Sequence, residues 1–296
     1  MFAVAKRIFL FFAVNILVLL TLSIAFEVIA GLLGVHMTPN MQLWVWYGMI
    51  GMGGAFINLA ISRSVAKWTM GVQVIDPNTQ NPSERRILEM VHTLAQRARL
   101  PVMPEVGIYD SPEVNAFATG PSKRRSLVAV STGLLQHMDQ DAVEGVLGHE
   151  VTHIANGDMV TMTLIQGVIN TMVLVVARVV ATLVSSQAEE RSRPMLQMLV
   201  FYVLQIVLSL FGSMIVCRFS RAREFRADAG GARLAGRERM IAGLTSLKGI
   251  YEQVDVSHPS VATLKIAGKT TSLLATLFAT HPPLDERIAR LEKMPL

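Results

Sequence analysis

Four long apolar runs limit what this chain can fold into. A helix needs roughly 20 apolar residues to cross the hydrocarbon core of a bilayer, and each run is about that long or longer. The runs cover residues 8–33, 43–61, 159–184 and 195–217. Arg178 interrupts the third run, where its long side chain would reach the far membrane surface. The sequence therefore predicts a mainly helical membrane protein with four transmembrane helices. It does not fix how deeply the hairpin formed by the third and fourth runs enters the membrane.

The composition supports this interpretation. Hydrophobic residues make up 51% of the chain and charged residues 17%, and the mean hydropathy is +0.43. The net charge of +5 arises largely from basic residues at the ends of the apolar runs, where membrane proteins place them. No nucleic-acid-binding pattern accompanies the positive charge, so we expect no nucleic-acid partner. A single cysteine, Cys217, excludes an intrachain disulfide and a multi-cysteine metal site.

The distribution of basic residues predicts the orientation. Lys6 and Arg7 precede the first run and Arg63 and Lys67 follow the second, whereas the loop between these two runs carries no Lys or Arg. By the positive-inside rule, both termini and the polar segments lie in the cytoplasm. The predicted organisation is two transmembrane hairpins, residues 1–61 and 159–217, and two cytoplasmic segments, residues 62–158 and 218–296.

The cytoplasmic segments have a mixed α+β pattern. Ser83 is placed to cap a helix that ends before Pro101, and residues 106–109 and 127–130 are typical of short strands. Between them, residues 113–120 predict a strand or bend that is closed by a turn at Gly120-Pro121. Asp139 is placed to cap the next helix, and two shorter helices are expected at residues 241–250 and 284–291.

That next helix contains the sequence His149-Glu150-Val151-Thr152-His153, which fits the pattern H-E-x-x-H. Residues four apart share one face of a helix, so both imidazoles can bind one zinc ion. Glu150 then lies beside the metal, where a base is needed to take a proton from the attacking water. A five-residue pattern also arises by chance, so the hypothesis requires a third ligand from elsewhere in the chain.

The predicted topology restricts where that ligand can come from. Exactly two apolar runs follow His153 before Arg218, so the segment after the fourth run returns to the same side of the membrane. Glu224 and Asp228 lie there, four residues apart. One of them can bind the metal while the other accepts a hydrogen bond from a ligand imidazole, and a pair of exposed surface carboxylates is the alternative.

Taken together, these features resemble the HtpX family of bacterial membrane zinc metalloproteases, which is related to the CAAX prenyl proteases. The order of the motifs, the chain length and the layout of four apolar runs all match this family. The matching pieces are Asn115-Ala116-Phe117-Ala118, Leu147–His153, Ser220–Asp228, and His281-Pro282-Pro283 with Arg287.

The resemblance implies a role for each residue of a zincin-like (gluzincin) site. His149, His153 and Glu224 would bind one Zn²⁺ per chain, Glu150 would be the general base, and Asp228 would support a ligand histidine. His281 and Arg287 would lie near the metal and stabilise the oxyanion, although they could equally be a cap and a surface group. Asn115, Ala116 and Phe117 would lie on an edge strand that binds an extended substrate through its backbone.

The expected function is a zinc endopeptidase of the bacterial inner membrane with its active site on the cytoplasmic side. Both halves of the metal site adjoin an apolar run, which would place the zinc near the membrane surface. Misfolded or damaged membrane proteins are the expected substrates, in a stress-response role. A site-specific peptidase of the CAAX-protease type is the nearer alternative, and a non-catalytic adaptor tied together by zinc is the more distant one.

Overall fold

A computed structural model describes residues 39–257 and 277–295. The chain divides into two compact units. The first contains the described residues up to Leu59 together with Met162–Val216, and the second contains Ala60–Thr161 and the described residues from Cys217 onward. The first predicted apolar run, residues 8–33, lies outside the described residues.

The elements follow one another in a simple order. A five-residue π-helical segment, Met49–Gly53, separates the first two helices. The helices are α1 (Pro39–Gly48), α2 (Gly54–Met70), α3 (Pro82–Arg97), α4 (Thr132–His137), α5 (Gln140–Asn156), α6 (Asp158–Ser185), α7 (Arg193–Ala235), α8 (Arg237–Ser257) and α9 (Leu284–Glu292). The strands are β1 (Gln73–Val74), β2 (Glu105–Tyr109), β3 (Ala116–Ser122) and β4 (Arg125–Ser131).

Three helical segments of the described chain are long and apolar enough to cross a membrane: Val45–Met70, Asp158–Ser185 and Arg193–Ala235. They contain the third and fourth predicted runs and residues 45–61 of the second. The second and fourth continue as helix well beyond their runs, α2 to Met70 and α7 to Ala235. The residues that follow the fourth run, rich in Ala and Arg, are good helix formers, so the helix does not end where the apolar run ends.

The second unit is built on a four-stranded sheet in the order β1-β2-β4-β3. Strands β2 and β4 are parallel, whereas β1 and β3 pair antiparallel at the two edges. The central strands are buried, and Leu127 to Val130 have no exposed surface. Helices α3 and α5 pack against the sheet, so their apolar faces form one core with it.

Two local predictions in this unit were wrong, and one was confirmed. The cap of α3 is Asn81, whose side chain accepts a hydrogen bond from the backbone N–H of Ser83 (3.0 Å). Pro82 explains the shift, because a proline suits the first helical position and moves the cap to the preceding residue. Strand β3 continues through Gly120-Pro121 to Ser122. Asp139 caps α5 as predicted, accepting from the Ala142 N–H (2.8 Å).

Helix α5 is held close to α8 at Gly145. A β-carbon built on Gly145 would collide with the carbonyl oxygen of Arg239, at the start of α8. The Arg239 side chain also reaches back to α5, where its guanidinium pairs with Asp141 and Glu144, each at 2.9 Å. The glycine therefore permits a backbone approach that fixes the position of α5, the helix that contains His149 and His153.

We expect Gly145→Ala to destabilise the second unit by about 1–3 kcal/mol, because the added methyl group must push α5 and α8 apart. Gly249→Ala is the matched control, since a β-carbon there meets nothing within 4 Å. That change should be neutral or slightly stabilising. Denaturant unfolding of the purified variants measures both effects, and equal stability of the two variants would contradict the close approach at Gly145.

Candidate metal centre

His149 and His153 lie one turn apart on the same face of α5. Both side chains are buried, with 7% and 8% of their surface exposed. Their Nε2 atoms are 3.1 Å apart, and the two rings are nearly perpendicular. The predicted helix therefore directs both imidazoles toward one point, as the four-residue spacing requires.

Glu224 of α7 completes a triangle of ligand atoms. Its Oε2 lies 3.3 Å from Nε2 of His149, and its Oε1 lies 3.4 Å from Nε2 of His153. Ligand atoms held about 2.0–2.1 Å from a tetrahedral zinc ion lie about 3.3–3.4 Å apart. One ligand atom from each of the three residues lies within 4.8 Å of the others, so small side-chain adjustments would let them bind such an ion. Within the described part of the chain, this trio is the one group of His, Cys, Asp or Glu side chains that could hold a metal ion.

A close helix crossing brings Glu224 to the histidines. A β-carbon built on Gly231 of α7 would lie 3.0 Å from the backbone nitrogen of His149. A side chain at that position would push α7 away from α5. Gly231 follows Glu224 by one and a half to two turns of α7. Because it has no side chain, the backbones of α7 and α5 can approach each other closely near Glu224.

Asp228 and Arg287 support His149. Asp228 Oδ1 lies 2.9 Å from Nδ1 of His149, and both Asp228 oxygens accept hydrogen bonds from Arg287. Asp228 and Arg287 are buried, with 2% and 6% exposure. The carboxylate therefore orients the imidazole so that its Nε2 faces the metal position, and the guanidinium neutralises the carboxylate.

Asp158 supports His153 in the same way, and the sequence reasoning missed it. Nδ1 of His153 donates a hydrogen bond to Asp158 Oδ2 (2.6 Å), and Asp158 is 3% exposed. Gly157 makes this contact possible, because its φ of 72° ends α5 and turns the chain back toward His153. The available signal was the sequence Asn156-Gly157-Asp158 directly after the motif helix, since ligand histidines usually donate their second nitrogen to a carboxylate or carbonyl.

The carboxylates determine the protonation of the metal-free site. Burial alone would lower the pKa of His153, but hydrogen bonds to Asp158 and Glu224 outweigh burial and raise that pKa to about 9. Glu224 lies beyond the apolar run that ends at Cys217. Burial would raise its pKa, but hydrogen bonds from His149, His153 and His281 lower it well below its usual range. A divalent cation would take the place of the imidazole protons, because imidazole binds metals in its neutral form.

Glu150 and His281 lie beside the ligand triangle and are more accessible. Glu150 is half-buried next to His149 and forms no ion pair within residues 39–257 and 277–295. His281 precedes α9, and its side chain is 62% exposed. Nδ1 of His281 donates a hydrogen bond to Glu224 Oε2 (2.9 Å). The structure thus brings the three predicted metal ligands together with Glu150, His281 and the buried Arg287.

The predicted substrate residues lie on an edge of the sheet. Asn115 precedes β3, and its carbonyl accepts a hydrogen bond from the Ser131 N–H (2.9 Å). Ala116 and Phe117 pair with Val130 and Ala129 of β4. Because bonded and non-bonded pairs alternate in an antiparallel ladder, Ala116 and Ala118 direct their backbone groups to the open edge.

Comparisons with known proteins agree with this arrangement. The sequence profile of peptidase family M48 matches residues 81–295. A protease HtpX homolog of Bacillus licheniformis is 52% identical, over 97% of this chain and 99% of its own. A protease HtpX of Xanthomonas oryzae pv. oryzae is 48% identical, over 97% of each chain. The crystal structure of Ste24p from S. mikatae has a similar fold, with a TM-score of 0.60 at 16% identity. It aligns with 84% of this chain, which spans 58% of the Ste24p chain.

We expect Asp158→Ala to lower the affinity of the site for zinc about 10- to 100-fold, because His153 loses the group that fixes its orientation and tautomer. Asp158→Asn should lower the affinity for zinc by a smaller factor, since its amide oxygen still accepts the hydrogen bond. Competition with a chromophoric chelator measures the dissociation constants. The control is Asp139→Asn, which keeps a capping side chain on α5, and an Asp158→Ala variant with wild-type affinity would contradict the support of His153.

Proposed function

The chain belongs to peptidase family M48 and is a membrane-bound metalloprotease, and from this premise we propose that one zinc ion per chain is held by His149, His153 and Glu224. The observation that carries the proposal is the close approach of three ligand groups. The two Nε2 atoms are 3.1 Å apart, and the two oxygens of Glu224 lie 3.3 Å from His149 and 3.4 Å from His153. Three protein ligands would leave the fourth coordination position of the zinc ion open, as in catalytic rather than structural zinc sites. Nitrogen and carboxylate ligands of this kind suit zinc.

We propose that Glu150 is the general base. Zinc bound at this position would acidify a water molecule and polarise the scissile carbonyl. Glu150 is beside the ligand triangle, is half-buried, and forms no ion pair with any residue that the structure describes. It can therefore take the proton of the attacking water and return it to the leaving amine, so that peptide hydrolysis needs no covalent intermediate.

We propose different roles for the two residues near α9. His281 is exposed on the side of Glu224, where its imidazole can donate a hydrogen bond to the developing oxyanion. Arg287 is buried, and its guanidinium binds both oxygens of Asp228. Its contribution is then to position Asp228, and through Asp228 to position His149, rather than to contact the substrate.

The substrate would bind along β3. The outward backbone groups of Ala116 and Ala118 can pair with an extended peptide, which adds a strand to the open edge. Such pairing involves the backbone of the peptide and not its side chains, so peptides of many different sequences can bind. Asn115 is exposed at the end of this edge and can donate its amide to the same peptide.

We propose that the substrates are misfolded or damaged membrane proteins. The basic residues that follow the second and fourth apolar runs support a cytoplasmic active site in the bacterial inner membrane. The proposed organisation keeps four transmembrane helices, with hairpins at residues 1–61 and 159–217. Residues 62–158 and 218–296 then form the protease domain, and the two hairpins are surrounded by membrane lipid.

Glu150→Gln should retain one zinc per chain and lower kcat/KM by about 10²–10⁴, because the amide cannot accept the proton of water. Glu89→Gln is the control, since Glu89 is exposed on α3. Zinc content and cleavage are measured on the same purified protein. A Glu150→Gln variant that binds zinc and cleaves at the wild-type rate would refute the role of Glu150.

The substrate range separates the proposal from its alternatives. In membrane discs, the wild-type protein should cleave an unfolded soluble protein and a destabilised membrane protein at many positions, and mass spectrometry maps the cuts. Cleavage at a single sequence would indicate a site-specific peptidase. Stoichiometric zinc without any cleavage would indicate an adaptor.

His281→Ala and Arg287→Ala should fail in different ways. Loss of one oxyanion donor lowers kcat about 10²–10³-fold while KM changes little. Loss of the Arg287 guanidinium leaves Asp228 buried without its countercharge, which costs about 3–5 kcal/mol of stability and weakens zinc binding. The control is Lys293→Ala, which removes an exposed cation at the end of the same helix. An Arg287→Ala variant with wild-type stability and zinc affinity but reduced kcat would instead place Arg287 at the oxyanion.

A further inference from the structure

The hairpin between β3 and β4 has three adjacent cations at its tip. Lys123, Arg124 and Arg125 are all exposed, and none of them forms an ion pair with any residue that the structure describes. The basic residues at the end of α2 differ, because Arg63 and Lys67 both pair with Glu105, at 3.4 and 2.6 Å. The hairpin tip therefore has three positive charges close together, and they have no counterion among the residues that the structure describes.

The tip lies beside the point where the chain enters a membrane helix. Cε of Lys123 lies 3.5 Å from the position that a β-carbon on Gly157 would occupy. Gly157 immediately precedes α6, and the apolar run of α6 begins two residues later at Met159. The hairpin tip thus lies next to Gly157, which marks the boundary between the polar segment and the transmembrane segment.

We propose that this hairpin tip, residues 123–125, binds the anionic phospholipid headgroups of the membrane that α6 spans. Headgroup phosphates lie at the level where a transmembrane helix begins, and three unpaired cations at that level meet several of them at once. Each basic residue near an anionic bilayer surface contributes roughly a fivefold increase in binding. The proposal rests on the membrane insertion of α6 and is independent of the assignment of the metal ligands.

Headgroup binding at the tip has a consequence for the substrate strand. Strand β3 runs directly from the tip to Asn115, and Phe117 to Thr119 pair with β4 along the way. A tip that is bound to headgroups therefore holds one end of the β3 edge at the bilayer surface. A polypeptide that emerges from the membrane would meet this edge without crossing the surrounding water.

Hydrogen exchange of the hairpin amides in lipid discs tests the proposal without relying on activity. The full-length protein is placed in discs of phosphatidylcholine alone and in discs that also contain about one-third phosphatidylglycerol. We expect exchange of residues 122–126 to slow at least about fivefold in the anionic discs, and high salt to reverse the effect. The triple variant Lys123→Gln/Arg124→Gln/Arg125→Gln should lose the difference between the discs.

A charge-matched control separates the tip from general electrostatics. Three other exposed cations of the same unit are replaced by glutamine in the control variant: Arg85, Arg86 and Arg99. That variant should keep the wild-type dependence on anionic lipid. Thermal unfolding and zinc content verify that both triple variants are folded.

Several outcomes would overturn the proposal. One is equal exchange of the wild-type hairpin in the two kinds of disc, and another is a lipid effect that survives in the tip variant. Slower exchange in phosphatidylcholine discs on addition of inorganic phosphate would show a free-anion site. Slower exchange in those discs on addition of an acidic unfolded protein would show a substrate contact instead.

Discussion

The carboxylate of Glu224 has no exposed surface, and much of the structure follows from that burial. Removing an ionised carboxylate from water costs several kcal/mol, and the cost is offset only where opposite charges and hydrogen bonds surround the group. Glu224 obtains these from His149, His153 and His281. The helices that contain Glu224 and the two motif histidines must therefore be in contact, and the glycines at their crossing make that contact possible.

The groups that orient the candidate metal ligands also lie on helices. Asp158 is the first residue of α6, and Asp228 follows Glu224 by one turn on α7. Helix α7 is continuous from the apolar run to the ligand, with no loop between Cys217 and Glu224 that could absorb a displacement. The position of Glu224 is thus set by a helix that also forms part of a membrane segment, and rigid helices transmit position better than loops do.

The sequence was sufficient for those features that depend on spacing and topology. The four-residue interval predicted that His149 and His153 share a face, and the even number of apolar runs predicted that Glu224 returns to their side. Features that depend on tertiary contact were not predictable. The role of Asp158 requires the left-handed turn at Gly157, and the burial of Arg287 requires the packing of α9 against the rest of its unit. The cap of α3 was misplaced because the proline at the first helical position was overlooked.

The buried charges of the site do not balance without a cation. The buried charged side chains of the described chain are Asp158, Glu224, Asp228, Arg287 and the two motif histidines. Arg223 is partly exposed, and its guanidinium lies 3.4 Å from Oε1 of Glu224. Three carboxylates thus face two guanidinium groups, which leaves a deficit of one positive charge. In the metal-free protein, protons on the imidazoles reduce this deficit, and the raised pKa of His153 reflects that. A single divalent cation removes the deficit and frees the imidazoles to act as neutral ligands. The charge of the pocket, as well as its geometry, therefore favours a metal cation.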